Sequence, residues 1–424
     1  MGAKSADRLS DDDSPVNHSA VVIDPVPRVS IQAFCESPEI AAIVNAAISD
    51  RRMAKAHIKQ NMGGAPAAVE AYKNAPTPNV VVLEAPPSRN ALVEQLDELA
   101  QYCDAGTKLI VLGRMNDIVL YRQLIARGVS EYLVTPFGVV DFVKAISRLF
   151  SVPGAKPLGR LIAIVGAKGG VGASTVAHNL AWCLASVVDM ATIIADFDLA
   201  FGTAGLDYNQ DPPQGIAEAV FAPERVDTVL VDRLLSKCGD KLSLLAAPAT
   251  LDRVLDFSET SFDSLLDAMR ASTPWIVLDI PHVWSGWARR TLISADEVVV
   301  VASPDLANLR NAKNLIDNIK SARPHDHPPR LVLNGMGMVK RPEISAMEFA
   351  KTVEIDPAAV LPHDAKLFGG AANNGQMIAE IEPNGKIAEI FIDLASTIAG
   401  RADVRKPKRG ILDPLMAKLV RKRA

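Results

Sequence analysis

Residues 164–175 read IVGAKGGVGAST. An apolar segment, 161–165, precedes this stretch, and a segment with helical periodicity, 174–188, follows it. Strand, glycine-rich loop and helix in that order are typical of a phosphate-binding loop, because glycines let backbone N–H groups approach phosphate oxygens and the helix N-terminus adds partial positive charge. The lysine that normally precedes the hydroxyl residue and reaches the β- and γ-phosphates is Ala173 here. The stretch therefore predicts a nucleotide site and leaves open whether that site hydrolyses ATP.

The composition is that of a soluble globular chain. Its 424 residues predict two or three domains, and the net charge of −4 gives no reason to expect a nucleic-acid partner. No apolar run approaches the ~18 to 20 residues of a membrane span. The four cysteines are scattered and form no C-x-x-C pair, so we expect no zinc or iron–sulfur site.

Changes in composition divide the chain into five parts. Residues 1–27 are polar and rich in Asp, Ser and Pro, which predicts a disordered leader. Residues 28–150 form a first α/β domain, 151–159 a linker with two prolines, and 160–402 a second α/β domain. Residues 403–424 form a basic amphipathic tail.

Short apolar strands alternate with helical periodicity in the first domain, which predicts a doubly wound parallel sheet. The predicted strands are Val29–Phe34, Met53–Ile58, Val80–Leu83, Lys108–Leu112 and Glu131–Val134. The predicted helices are Glu39–Ile48, Ala67–Lys73, Arg89–Tyr102, Ile118–Ala126 and Val139–Phe150.

This layout resembles the receiver domain of response regulators, which has a flavodoxin-like fold. The residues of phosphoryl chemistry are absent: Glu84 stands where a receiver has its phosphorylated aspartate, Gly113 where it has a hydroxyl residue, and Thr135 where it has a lysine. The acidic pair expected after the first strand is missing from the sequence around Cys35. We therefore expect a degenerate receiver-like domain that serves for interaction or dimerisation.

In the second domain, polar residues follow several apolar strands. Residues 192–198 read TIIADFD and end in Asp196 and Asp198, and residues 275–279 read WIVLD and end in Asp279. Residues 331–334 read LVLN and end in Asn334. Asp198 or Asp279 alone could be a solvated strand end, but at this spacing behind a phosphate-binding loop we expect both at the site.

These segments, in this order, resemble the P-loop ATPases of the MinD/ParA family over nearly all of residues 160–400. The loop resembles the family's deviant Walker A motif, in which Lys168 is the signature lysine that reaches the partner's nucleotide across a dimer. The resemblance implies an ATP-dependent homodimer with Lys168 and Asp198 as the catalytic residues, Asp198 positioning the attacking water. It implies a nucleotide site formed by Gly169, Gly170, Val171, Gly172, Ala173, Ser174, Thr175 and Asn334.

The same resemblance implies roles for the remaining polar residues. Ser174 would bind Mg²⁺ directly, and Asp196 and Asp279 would hold its shell partly through water. Thr175 would bond the α-phosphate, and Asn334 would contact the edge of the base. The expected cofactors are ATP and Mg²⁺, with weak or slow hydrolysis because of Ala173.

A finer resemblance is to the CpaE/TadZ branch, whose members assemble Flp-type (tight adherence) pili. A degenerate receiver-like domain ahead of the ATPase, the loop GVGAST at 170–175 and the sequence VAHN at 176–179 carry it. It implies a cytoplasmic protein that organises the pilus secretion machinery at the inner membrane or a cell pole. Two alternatives stay open: a non-catalytic scaffold with a relic nucleotide site, and a ParA-like DNA-partitioning ATPase.

Two further features have two interpretations each. Residues 401–424 carry nine basic and two acidic residues, and the apolar residues of 411–424 lie on one face of a predicted helix. This tail resembles the membrane-targeting helix of MinD, but a docking peptide or a solvated tail is also compatible with it. Trp284 and Trp287, three residues apart, indicate either a contact surface or ordinary helix packing.

Overall fold

The computed structural model describes residues 23–151, 154, 157–212, 214–248, 251 and 255–401. They form two α/β domains, each built on its own sheet, as the sequence predicts. The predicted leader lies mostly outside the described residues, and the predicted tail, 403–424, lies wholly outside them. Within the described part of the chain, no helix combines the length and the apolar character needed to cross a bilayer.

The N-terminal sheet has five parallel strands in the order β2-β1-β3-β4-β5. This is the flavodoxin-like order of a doubly wound sheet. Its strands are β1 (Ser30–Cys35), β2 (His57–Met62), β3 (Val80–Glu84), β4 (Lys108–Gly113) and β5 (Glu131–Val134). Its helices are α1 (Pro38–Ile48), α2 (Gly64–Tyr72), α3 (Arg89–Leu99), α4 (Ile118–Ala126) and α5 (Val139–Leu149).

The second strand of this domain lies four residues later than the sequence predicts. Residues Arg51–Met53 form a 3₁₀ turn, which Asp50 caps by accepting a hydrogen bond from the backbone N–H of Arg52. Met53 is an apolar, buried residue of this turn, and in the sequence it resembles the first residue of a strand. The true strand, β2, is at the edge of the sheet and reads HIKQNM, which lacks the alternation that would reveal it.

The residue at the end of β3, Glu84, is a buried carboxylate. Glu84 Oε2 accepts hydrogen bonds from the backbone N–H groups of Glu36 and Ser37, at 2.7 and 2.8 Å. Gly113 faces the hydroxyl of Tyr132, and a Cβ at that position would collide with it. These side chains are used in packing and in closing the loop after β1.

The C-terminal sheet has eight strands in the order β13-β12-β11-β6-β10-β7-β9-β8, and all its neighbours are parallel except β8 and β9. The strands are β6 (Arg160–Gly166), β7 (Thr192–Asp196), β8 (Ser236–Lys237), β9 (Leu242–Leu245), β10 (Trp275–Ile280), β11 (Glu297–Ala302), β12 (Arg330–Met336) and β13 (Pro357–Pro362).

Helices cover both faces of this sheet. They are α6 (Ala173–Ser186), α7 (Ala204–Asp207), α8 (Ile216–Val220), α9 (Thr228–Leu234), α10 (Asp263–Ser272), α11 (Gly286–Ser294), α12 (Leu306–Ala322), α13 (Ala346–Val353), α14 (Ala365–Asn374), α15 (Ile378–Ile381) and α16 (Lys386–Ile398). Strand β6 lies at the centre, between β10 and β11, and its residues alternate between the two cores. The loop after β6 therefore emerges at the middle of the sheet's carboxyl edge, where doubly wound folds bind ligands.

Candidate functional site

The phosphate-binding loop connects the end of β6 at Gly166 to the start of α6 at Ala173. Gly170 and Gly172 have φ values of +79° and +83°, which L side chains rarely adopt. A Cβ on Gly172 would also lie 2.5 Å from Nδ2 of Asn334. These glycines are therefore required by the loop's conformation.

A cavity of about 740 Å³ opens in front of this loop. Its walls include Lys168, Gly169, Gly170, Val171, Gly172, Ala173, Ser174 and Asp198. A Cβ on Gly169 or Gly170 would meet nothing within 4 Å, so the loop backbone is open toward the cavity. The first-turn N–H groups of α6 have no carbonyl partner within the helix. Size, open backbone and helix N-terminus together fit a nucleotide phosphate chain.

Asn334 lies behind the loop and not in the cavity wall. Its Nδ2 donates to the carbonyl oxygen of Val171 at 2.8 Å, which ties β12 to the loop. The structure thus assigns it a contact with the phosphate-binding loop. The role predicted for it at the edge of a base stays a prediction, as does the contact of Thr175 with the α-phosphate.

The two acids predicted to hold Mg²⁺ are buried behind the loop. Asp196 is 1% exposed and accepts hydrogen bonds from the N–H groups of Asp198 and Ala204, both at 3.1 Å. Burial raises the pKa of Asp196, and the negative charge of Asp279 raises it further, to about 7. Asp279 is 4% exposed. Neither lines the cavity, so of the predicted catalytic and metal residues only Lys168, Ser174 and Asp198 do.

A buried histidine lies next to these acids, and the sequence analysis assigned it no role in the site. His178, on α6, is fully buried, with Nδ1 2.6 Å from Oδ2 of Asp207 and Nε2 3.5 Å from Oδ2 of Asp279. Burial lowers its pKa, but the hydrogen bond to Asp207 and the negative charges of Asp279 and Asp207 outweigh burial and raise the pKa to about 10. The imidazole is therefore cationic at neutral pH. The sequence signal was a single histidine in an apolar helix, which usually indicates only a packed side chain.

The residues present are compatible with Mg²⁺ bound largely by phosphate and water. Among the described residues, no group of three or more His, Cys, Asp or Glu side chains is arranged to hold a metal. Magnesium in nucleotide sites uses one or two protein ligands besides phosphate oxygens and water. Ser174 lines the cavity at the start of α6 and provides one such oxygen.

The predicted signature lysine, Lys168, is exposed at the tip of the loop. It lies close enough to Asp305, the N-cap of α12, to influence that carboxyl group. Burial raises the pKa of Asp305, and hydrogen bonds from Asn308 together with the charge of Lys168 lower it to below its usual value. The ammonium group is therefore available at the surface for a partner.

The two tryptophans have different environments. Trp287 is buried against Phe262 and Phe197, with ring centroids 4.6 and 6.3 Å away. Trp284 is 55% exposed on the loop between β10 and α11. Packing is therefore the correct interpretation for Trp287, and Trp284 is available for a contact.

The chain is similar to known proteins in sequence. The model of a family described as "AAA domain" matches residues 159–330. The septum site-determining protein MinD of Helicobacter pylori is 27% identical over 275 residues, which cover 60% of this chain and 97% of MinD.

Solved structures agree with this. The pilus assembly protein CpaE of Caulobacter crescentus is 46% identical and covers 30% of this chain and 98% of its own, with a TM-score of 0.30. A ParA family ATPase of Chlorobium tepidum is 24% identical and covers 56% and 98%, with a TM-score of 0.51. The MinD of Pyrococcus horikoshii, solved with Mg-ADP, is 21% identical and covers 58% and 100%, with a TM-score of 0.51. The ParA family ATPase and the Pyrococcus MinD show the fold of the C-terminal domain. The 46% identity over 98% of the CpaE chain shows that CpaE and this chain are related.

Proposed function

Because the chain belongs to the CpaE-type branch of the MinD/ParA superfamily, we propose that it binds ATP with Mg²⁺, dimerises in response, and organises pilus assembly machinery at the inner membrane. The observation that carries this proposal is the cavity at the phosphate-binding loop, which keeps its open glycines, its helix N-terminus, Ser174 and Lys168. The side chain of the usual lysine, with its ammonium group, is absent at Ala173.

The surface around the cavity supports the dimerisation part of the proposal. Exposed apolar side chains follow the carboxyl ends of four strands on either side of β6, and these strand ends share one edge of the sheet. They are Phe201 after β7, Trp284 after β10, Leu306 after β11 and Val339 after β12. Exposed apolar side chains beside a cavity are a candidate surface for binding another protein. A second copy bound here would cover both cavities.

We infer a role in pilus assembly from the similarity to the Caulobacter pilus assembly protein. The N-terminal domain has lost the receiver's phosphoryl chemistry, so it is available to bind a protein of that machinery. The basic tail, which lies outside the described residues, supplies contact with anionic lipid in this proposal. Cytoplasmic location at the inner membrane or a cell pole is part of the same proposal.

The first test of the switch is Lys168→Ala. We expect the variant to keep its affinity for Mg-ATP within a few-fold, because the loop backbone is unchanged, and to lose ATP-dependent dimerisation, because Lys168 is exposed toward a partner. Titration with a fluorescent ATP analogue and analytical ultracentrifugation measure the two properties separately.

The matched control is Lys237→Ala, which removes an exposed lysine from the edge strand β8 of the same domain. We expect it to behave as the unmodified protein in both measurements. A Lys168→Ala variant that still dimerises with ATP would contradict the switch.

Ala173 also favours a second function, that of a non-catalytic scaffold. Loss of the lysine removes an electrostatic clamp on the phosphates, and the fold would still hold partners through both domains. This function predicts that nucleotide changes neither stability nor association.

A further inference from the structure

Two neighbouring arginines of the N-terminal domain, Arg51 and Arg52, pair with Asp326 of the ATPase domain. Arg51, in the 3₁₀ turn after α1, has a side chain only 9% exposed. Its Nε lies 2.6 Å from Oδ2 of Asp326, in the loop between α12 and β12. Its Nη1 donates to the carbonyl oxygen of Ser294 at 3.1 Å and lies 3.4 Å from Oδ1 of Asp296. Arg51 therefore holds the C-terminal end of α11.

The opposite end of α11 forms part of the nucleotide cavity. Ser285, which caps the helix by accepting a hydrogen bond from the N–H of Ala288, and Trp287 both line that cavity. Trp287 packs against Phe262 and also lines the cavity, so a shift of the helix start disturbs a close-packed side chain. At 1.5 Å per residue, α11 spans about 13 Å between the two ends.

A second connection runs from Arg51 to the strand that carries the phosphate-binding loop. Asp296, its ion-pair partner, accepts a hydrogen bond from the N–H of Leu161 at 2.9 Å and also pairs with Arg270 at 2.8 Å. Leu161 belongs to β6, whose other end is Gly166. Both connections thus begin at the domain interface and end at the nucleotide cavity.

We propose that α11 couples nucleotide binding to the docking of the N-terminal domain. In this proposal Arg51 is the side chain that transmits the effect between the two domains. The inference rests on the proposed function, because it assumes a nucleotide in the cavity. Since coupling is reciprocal, a change at Arg51 must alter the affinity of the cavity for nucleotide, and a nucleotide must alter the domain interface.

The test compares Arg51→Gln with Lys55→Gln. Lys55 also crosses the domain interface, but its partner, Asp267, lies on α10 and the pair is solvent-exposed. We expect Arg51→Gln to change the affinity for Mg-ATP by about fivefold or more. We expect Lys55→Gln to stay within twofold of the unmodified chain. Equal affinities in both variants would overturn the inference.

A second measurement needs no nucleotide and separates this inference from the proposed function. Amide hydrogen exchange of the full chain should increase in Arg51→Gln along the whole of 281–294, including the cavity loop 281–285, and should be unchanged there in Lys55→Gln. An increase confined to the residues next to Ser294 would overturn the coupling. If exchange in Arg51→Gln increases along all of 281–294 while no variant binds Mg-ATP, the proposed function fails. In that case the connection between Arg51 and the cavity loop through α11 still stands.

Discussion

Replacing His178 by alanine is expected to lower the free energy of unfolding by about 3–5 kcal/mol. The imidazole is fully buried between the carboxylates of Asp207 and Asp279, at 2.6 and 3.5 Å. Removing it leaves Asp279, itself 4% exposed, without its counter-charge and opens a void in α6. Urea denaturation followed by circular dichroism measures the loss.

The control is His363→Ala, which truncates an exposed histidine after β13 and should change the stability by no more than ~0.5 kcal/mol. A His178→Ala variant that loses less than about 1 kcal/mol would contradict the importance of this buried cluster.

The same histidine predicts a pH dependence. Its pKa is raised from 6.5 to about 10 in the folded chain, so its contribution is complete below pH 6.5 and is lost as the pH rises through 10. We expect the unfolding free energy of the unmodified chain to fall more steeply between pH 7 and 10 than that of His178→Gln. Parallel curves for the two proteins would contradict a cationic His178.

Restoring the missing lysine should have the largest effect on activity. Ala173 is the first residue of α6 and lines the cavity, so a lysine there would place its ammonium group beside the β- and γ-phosphates. We expect Ala173→Lys to raise the rate of ATP hydrolysis by about a hundredfold. Phosphate release under saturating Mg-ATP measures it.

Ala173→Met is the matched control, because it adds a side chain of similar length without the charge. It should hydrolyse ATP no faster than the unmodified chain. Equal rates in the two variants would mean that the cavity does not hold a phosphate chain beside position 173.

Much of the fold could be predicted because its signals are local. Central strands such as β6 and β10 are continuous apolar runs, and α4 and β5 have the predicted bounds. The exception, β2, is an edge strand with polar residues, so nothing in its sequence distinguishes it from the turn before it.

The part of the site formed by residues adjacent in sequence could be predicted. Contacts between residues that are distant in sequence could not. Loop residues 168–174 line the cavity as expected. The pairing of His178 with Asp207 and Asp279 joins three separate elements, and the contact of Arg51 with Asp326 joins two domains. Such pairs have no periodicity or spacing in the sequence, because they depend on how elements pack.

The most direct test of the central claim is sedimentation velocity of the full chain, with and without millimolar Mg-ATP, combined with its melting temperature in the same samples. We predict a dimer and a higher melting temperature with Mg-ATP, because a ligand that binds only the folded state stabilises it. A monomer with an unchanged melting temperature would contradict the switch and leave the chain a scaffold with a relic nucleotide site.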